Sequence, residues 1–128
     1  MSYYFSKTIK ASFEEAIDRA TESLKKEGFG VLTEIRINEK LKEKLGVDFP
    51  RYTILGACNP AFAYKALQAE NKIGTMLPCN VIVQESGNGE IEIAAVNPIE
   101  SMKAIQNPDL GSVATQVTEM LKRVIEAL

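Results

Sequence analysis

The sequence predicts an α+β fold, in which a mainly antiparallel five-stranded sheet has its helices packed on one face. Strand-like segments with a hydrophobic period of two alternate with segments of helical period along the 128 residues. The last two strand segments, 80–86 and 90–96, flank Gly87-Asn88-Gly89, which is typical of an antiparallel hairpin. A composition with 45% hydrophobic and 25% charged residues suits a single globular domain over residues 1–128.

A strand and a long helix are predicted at the start of the chain. Residues 3–9 alternate loosely and are rich in aromatic and β-branched side chains, which favours a strand. Ser12 and Glu15 have the spacing of a capping box, and apolar residues follow at helical intervals, so a helix is expected over 12–27. Gly28 is the expected end, because glycine readily adopts the left-handed conformation found after helices.

The next segment, 31–37, is predicted to be a half-buried strand, most simply antiparallel in its sheet. Strict alternation would place its odd-numbered residues together on one face. A short helix is expected to follow, with Asn38 as its N-cap and Gly46 as its end.

Residues 51–58 are predicted to form the third strand. The dipeptide Asn-Pro follows directly and predicts a helix over 59–70, because asparagine caps helices and proline suits their first position. The same dipeptide at 97–98 predicts a short turn of helix. A stripe of apolar residues then predicts a last helix over 110–127.

The charge balance and the residue types exclude several classes of function. The net charge is −2, from 15 basic and 17 acidic residues, and the basic residues are scattered, which disfavours nucleic acid or membrane as a partner. No apolar run approaches the roughly 20 residues that span a bilayer, and the start lacks the apolar stretch of a signal peptide, so we expect a cytoplasmic protein. The chain has no histidine, which removes Ser-His-Asp and Cys-His catalysis.

Cys58 and Cys79 each lie where a predicted strand meets a turn. A 12-residue helix over 59–70 rises about 18 Å, and the eight residues 71–78 can return over about 26 Å. We therefore expect both cysteines at the same end of adjacent antiparallel strands, reduced, with Cα atoms within roughly 10 Å. A parallel crossover is the alternative, and it would put them at opposite ends.

The expected ligand-binding residues are Cys58, Asn59, Cys79 and Asn80. Cys58 precedes a helix N-terminus, where the dipole favours a thiolate and free amides can hold a small anion. Two thiols, with Met76 close in sequence, would suit Cu(I) or Zn(II), although a tetrahedral zinc site would need a second copy of the chain. The competing structural interpretation is that both cysteines are small buried apolar groups, since their spacing matches no compact zinc motif.

The residues are consistent with three functions. The first is a dimeric, non-catalytic binding module for a small ligand or a soft metal ion near Cys58 and Cys79. The second is a thiol-dependent enzyme, redox or sulfur-handling, that uses Cys58. The third is a protein-interaction module. We assign no catalytic residue, and no cofactor is predicted apart from the soft metal ion.

Nearly the whole chain resembles the domain of unknown function 302 family. The resemblance is carried by "ILGACNPAFAYKAL", by "GTMLPCNVIVQE", by "SFEEAIDRATESLKKEGFGVLTEI" and by the Asn-Pro pair at 97–98. It implies a β-α-β4-α fold like that of the TATA-binding protein, with an extra helix between strands, and a tendency to form homodimers. It implies no activity, and no catalytic residue is carried over.

Overall fold

A computed structural model of the chain describes residues 2–128, in which five strands form one antiparallel sheet. The strands lie in the order β1-β5-β4-β3-β2, and every neighbouring pair runs antiparallel. The predicted α+β fold is therefore confirmed, and each predicted strand is found within one or two residues. Their bounds are β1 Tyr4–Lys10, β2 Gly30–Arg36, β3 Tyr52–Cys58, β4 Cys79–Gly87 and β5 Glu90–Val96.

The helices also follow the predicted order. The long ones begin and end within a residue or two of the predicted bounds, and a short 3₁₀ turn at Ile73–Met76 lies in the segment that leads back to β4. The bounds of the helices are α1 Phe13–Lys26, α2 Ile37–Leu45, α3 Pro60–Ala69, α4 Pro98–Ser101 and α5 Leu110–Glu126.

Polar caps fix where three of the helices begin. The amide of Glu15 donates to Ser12 Oγ at 3.1 Å, and the Ser12 amide donates to the Glu15 carboxylate at 3.3 Å, which is the predicted capping box. Asn59 accepts from an amide in the first turn of α3, and Asn97 does the same for α4. These caps provide hydrogen-bond acceptors for amides in the first turn of each helix, which have no carbonyl partner within the helix.

One face of the sheet carries the core. Along β3, residues 53, 55 and 57 are buried beneath the helices, while Tyr52 and Ile54 alternate onto the other side and stay half-exposed. Helices α1, α3 and α5 pack on the buried side, where side chains such as Leu24, Leu55 and Leu121 are fully enclosed. A fully buried leucine contributes about 1.5–3 kcal/mol to stability. We call the opposite side the open face.

Two local predictions for the segment from β2 to α2 are wrong. The ladder with β3 shifts between Val31 and Thr33, so that Val31 pairs with Ala57 on the core side while Thr33 pairs with Gly56 on the open face. This bulge breaks the predicted alternation, because one extra residue moves every later side chain to the other face.

Asn38 is not the N-cap of the short helix, since α2 already begins at Ile37. Its side-chain oxygen instead accepts a hydrogen bond from the Tyr52 amide at 3.2 Å and so ties α2 to β3. Gly46 does end this helix, in a left-handed conformation with a φ of 68°, as predicted. Across residues 2–128, the structure contains no helix that is both long enough and apolar enough to cross a bilayer.

Candidate functional site

The two cysteines lie at the same end of neighbouring antiparallel strands, as the chain lengths predict. Cys79 begins β4 directly opposite Ala57, and Cys58 is the next residue along β3. Strands about 4.8 Å apart with a rise of about 3.3 Å per residue put the two Cα atoms roughly 6 Å apart. The parallel crossover is thereby excluded, and both thiols are free.

A cavity of about 40 Å³ lies at this end of the sheet, beneath α3 and against α5. We call it the thiol-end cavity. Its walls are almost entirely apolar, and they come from the strand ends, both helices and the turns between them. It is lined by Phe29, Ala57, Cys58, Asn59, Phe62, Ala63, Ala66, Leu77, Pro78, Cys79, Pro98, Met102, Leu110, Val113, Ala114 and Val117.

The two thiols have different surroundings. Cys79 is buried in the core cluster beside Ala57, and this burial raises the pKa of its thiol to about 11, with a smaller contribution from the neighbouring Cys58. Cys58 is half-buried at the end of its strand and stays outside that cluster. At neutral pH, therefore, Cys79 presents a neutral, weakly polar sulfur to the cavity.

Asn59 borders the cavity, but its polar atoms are engaged by the protein. Its side-chain oxygen accepts from the Phe62 amide at 3.5 Å, and its amide group donates to the Glu27 carbonyl at 3.4 Å. The Phe62 amide, at the helix N-terminus where we expected a small anion to bind, therefore already has an acceptor within the protein. Asn59 positions α3 over the cavity, with its side chain engaged by hydrogen bonds within the protein.

Asn80 is not brought together with the other three predicted residues. It follows Cys79 along β4, so it alternates onto the open face, where it pairs in the ladder with Gly56. There it lines a separate groove together with Tyr52 and Ile82. The structure therefore joins Cys58, Asn59 and Cys79 at one cavity and places Asn80 on the other side of the sheet.

Few groups at the thiol-end cavity could bind a metal ion besides the two thiols. Within the described residues 2–128, no three or more carboxylate, thiol or imidazole groups lie close enough together to hold a metal ion. Met76, the third sulfur considered from the sequence, is 39% exposed and does not line the thiol-end cavity, whereas Met102 does. One of the two thiols also holds its proton firmly, which opposes metal binding because the thiolate is the ligand.

Several residues of the cavity are not recognisable from the local sequence. Met102 directly follows α4, and Leu110 and Val113 lie at the start of α5, far from either cysteine in sequence. The apolar stripe of α3, which includes Phe62 and Ala66, is the sequence signal for this cavity. It predicts only that this face of the helix packs against other parts of the protein.

Two comparisons with known proteins point to the same family. Residues 5–128 match the family described as "Domain of unknown function DUF302". A crystal structure of an uncharacterised conserved DUF302 protein from Bacillus stearothermophilus superposes with a TM-score of 0.89, at 32% identity over 98% of both chains. An uncharacterised protein of Aquifex aeolicus (strain VF5) is 25% identical over 80 residues, which span 60% of this chain and 56% of that relative.

Proposed function

This chain belongs to the DUF302 family, and from the geometry of its thiol-end cavity we propose that it is a non-catalytic binding module for a small apolar molecule. The observation that carries the proposal is the cavity lining, which joins both cysteines to apolar side chains of α3, α5 and the strand ends. Apolar surface of this kind favours a ligand by removing the ligand's own apolar surface from water.

The chemistry of the walls favours an apolar ligand over a polar one. A buried water makes about three hydrogen bonds to polar groups, and cavities lined only by apolar side chains stay dry. Asn59 uses its side chain within the protein, and the Cys79 sulfur is protonated at neutral pH. A volume of about 40 Å³ further restricts the occupant to a few non-hydrogen atoms unless α3 moves outward.

A thiol-dependent enzyme is the weaker alternative. A catalytic cysteine needs an accessible thiolate, together with a base or a charge that stabilises it. The chain contains no histidine, and burial holds Cys79 in its protonated form. Cys58 remains the only thiol that this alternative can use.

We also propose that the module is a homodimer, with no nucleic acid or membrane as its partner. The support is the apolar surface of the open face, where large side chains such as Tyr4 and Ile35 are exposed. Because the thiol-end cavity lies on the helical side of the sheet, ligand binding and pairing use opposite sides of the chain.

Native mass spectrometry combined with elemental analysis of gently purified protein tests the bound species. We expect an added mass that organic solvent extracts as a small apolar compound, and less than stoichiometric metal. One copper or zinc ion per chain, held until Cys58 and Cys79 are both replaced, would contradict an apolar ligand and support the soft-metal alternative.

A further inference from the structure

A second space adjoins the thiol-end cavity at the surface of the protein. It has a volume of about 250 Å³ and lies at the start of β4, between the 3₁₀ turn at Ile73–Met76 and α4. We call it the mouth groove. Half of its lining residues also line the cavity, so the same side chains form the boundary between the two spaces. The shared residues are Leu77, Pro78, Cys79, Pro98 and Met102.

This boundary is the wall of the cavity that can move most easily. Leu77 and Met102 are half-buried, and both pack against the small cluster around Ile73, which is separate from the main core. Methionine has a flexible side chain that adapts to the space around it. On the opposite wall, Ala57 and Val117 belong to the main core. The cavity therefore opens toward the mouth groove more readily than toward the sheet.

The lining becomes more polar from the cavity to the mouth groove. The groove adds the hydroxyl groups of Thr75 and Ser101 and the side-chain amide of Asn80. Asn80 is exposed and borders both this groove and the open face. Among residues 2–128, none of those that line the groove carries a charge. A molecule that occupies both spaces thus meets apolar groups at its inner end and uncharged polar groups at its outer end.

The hydroxyl groups of the mouth groove are oriented as acceptors. The Thr75 hydroxyl donates to the Lys72 carbonyl at 2.9 Å, and the Ser101 hydroxyl donates to the Pro98 carbonyl at 3.5 Å. Each hydroxyl oxygen keeps lone pairs that can accept a further hydrogen bond. A group that donates, such as an alcohol, matches these oxygens. An ionised carboxylate only accepts, and the groove lining offers it no cation.

We propose that the ligand of the thiol-end cavity is a short, uncharged amphiphile, such as a primary alcohol. Its apolar tail fills the cavity, and its polar head donates to oxygens of the mouth groove. This inference rests on the proposed function and adds the class and the orientation of the ligand. The cavity of about 40 Å³ accepts only a few carbon atoms, and the groove of about 250 Å³ accommodates the remainder. Burial of the tail favours binding, while the few polar groups fix the orientation.

The orientation is tested with pentan-1-ol in an isotope-filtered NOE experiment on the labelled wild-type protein. We expect NOEs from the terminal methyl group of the alcohol to Ala66 and Val113, which line the cavity alone. The methylene group that carries the hydroxyl should give NOEs to Ser101 and Met102. The reverse orientation, or equal contacts from both ends of the alcohol, would overturn the proposal.

The head group is tested by the affinity for pentanoate at neutral pH, measured from the methyl NMR signals of the cavity. Pentanoate has the same chain length but carries a charge and donates no hydrogen bond. We expect it to bind about tenfold or more weakly than pentan-1-ol. Equal affinities would refute a site for an uncharged donor.

A double variant, Asn80→Ala with Ser101→Ala, tests the groove itself. It should weaken pentan-1-ol binding by about three- to tenfold, because hydrogen bonds to the head are lost, and leave xenon binding unchanged. The matched control is Asn71→Ala with Ser112→Ala, since both residues are exposed and line neither space. Equal effects of the two double variants on alcohol binding would refute a role for the groove.

Xenon separates this inference from the proposed function on which it rests. If xenon fills the cavity of the wild type but pentan-1-ol takes no fixed orientation, the apolar cavity stands and the amphiphile is refuted. If neither probe binds, the proposed function fails together with this inference.

Discussion

Cys58 lies one residue beyond the cross-strand partner of Cys79, so the two thiols share an end of the sheet without facing each other in the ladder. The Cα atoms, roughly 6 Å apart by strand geometry, lie within the range of a disulfide, but both thiols are free, and burial keeps the Cys79 thiol protonated at neutral pH. The arrangement instead gives one core thiol and one thiol at the rim.

The first prediction concerns the reactivity of these thiols. Cys58 should be alkylated by iodoacetamide in the native protein, while Cys79 should react only at the rate of unfolding, because it is buried. Mild oxidation should leave the two thiols unlinked within a chain. Mass spectrometry of the alkylated protein reads both results. Simultaneous modification of both thiols, or an intramolecular Cys58–Cys79 disulfide, would refute the assigned positions.

Stability should fall at alkaline pH in a way that depends on Cys79. Burial raises the pKa of this thiol from 9.0 to about 11. The unfolded chain therefore ionises first, and the stabilisation, fully present below about pH 9, is lost as the pH rises toward 11. The loss amounts to about 2 kcal/mol at pH 11.

Urea unfolding at a series of pH values measures this effect against Cys79→Ala. The variant is less stable at pH 7 because it leaves a small void, but it should lose less stability than the wild type between pH 8 and 11. Parallel curves for the two proteins over this range would show that the thiol is accessible to solvent.

Gly56 is the position on β3 where a side chain fits least. A Cβ atom there would collide with Thr33 Oγ1 and approach Pro78 Cγ to 2.8 Å. Gly56→Ala should therefore reduce the free energy of unfolding by about 1–3 kcal/mol. Gly74→Ala is the control, because outside its own turn and chain neighbours no atom of the described residues lies within 4 Å of its Cβ position, and it should change stability by less than about 0.5 kcal/mol. Equal effects of the two changes in thermal unfolding would be inconsistent with this packing.

Asn59 should act on the stability of α3. Asn59→Ala removes the cap and should cost about 1 kcal/mol, whereas Asn59→Asp keeps an oxygen acceptor for the first turn and should cost less. Chemical denaturation of both variants measures the difference. If Asn59 instead bound the ligand directly, the alanine variant would keep its stability and lose only binding.

Much of the fold was predictable because its signals are local. The capping box at Ser12 and the Asn-Pro pairs identify helix starts through hydrogen bonds made within a few residues. The hairpin at 87–89 needs positive φ angles, and all three of its residues adopt them. The bulge in β2 was not predictable, since its register depends on how Thr33 packs beside Gly56 on the neighbouring strand.

The candidate site was predictable only in part. The rise of the helix after Cys58 and the reach of the segment before Cys79 predict that the two cysteines lie at one end of the sheet. Both quantities follow from the number of residues in each segment. Which side of the sheet each residue faces depends on the register, and this separates Asn80 from its neighbour Cys79. The contribution of Met102 and Val113 depends on how α5 packs across the sheet, for which the sequence carries no local signal.

The most direct test of the apolar cavity is a titration with xenon, followed by the methyl NMR signals of the protein. Xenon is apolar and enters dry cavities. We expect saturable shifts at Ala57, Ala66 and Val113, which line the thiol-end cavity. These shifts should disappear in Ala63→Val, which adds volume at the lining, and persist in Ala61→Val, which makes the same change at an exposed position of α3. Shifts that are absent from the wild type, or unchanged in Ala63→Val, would contradict the proposed function.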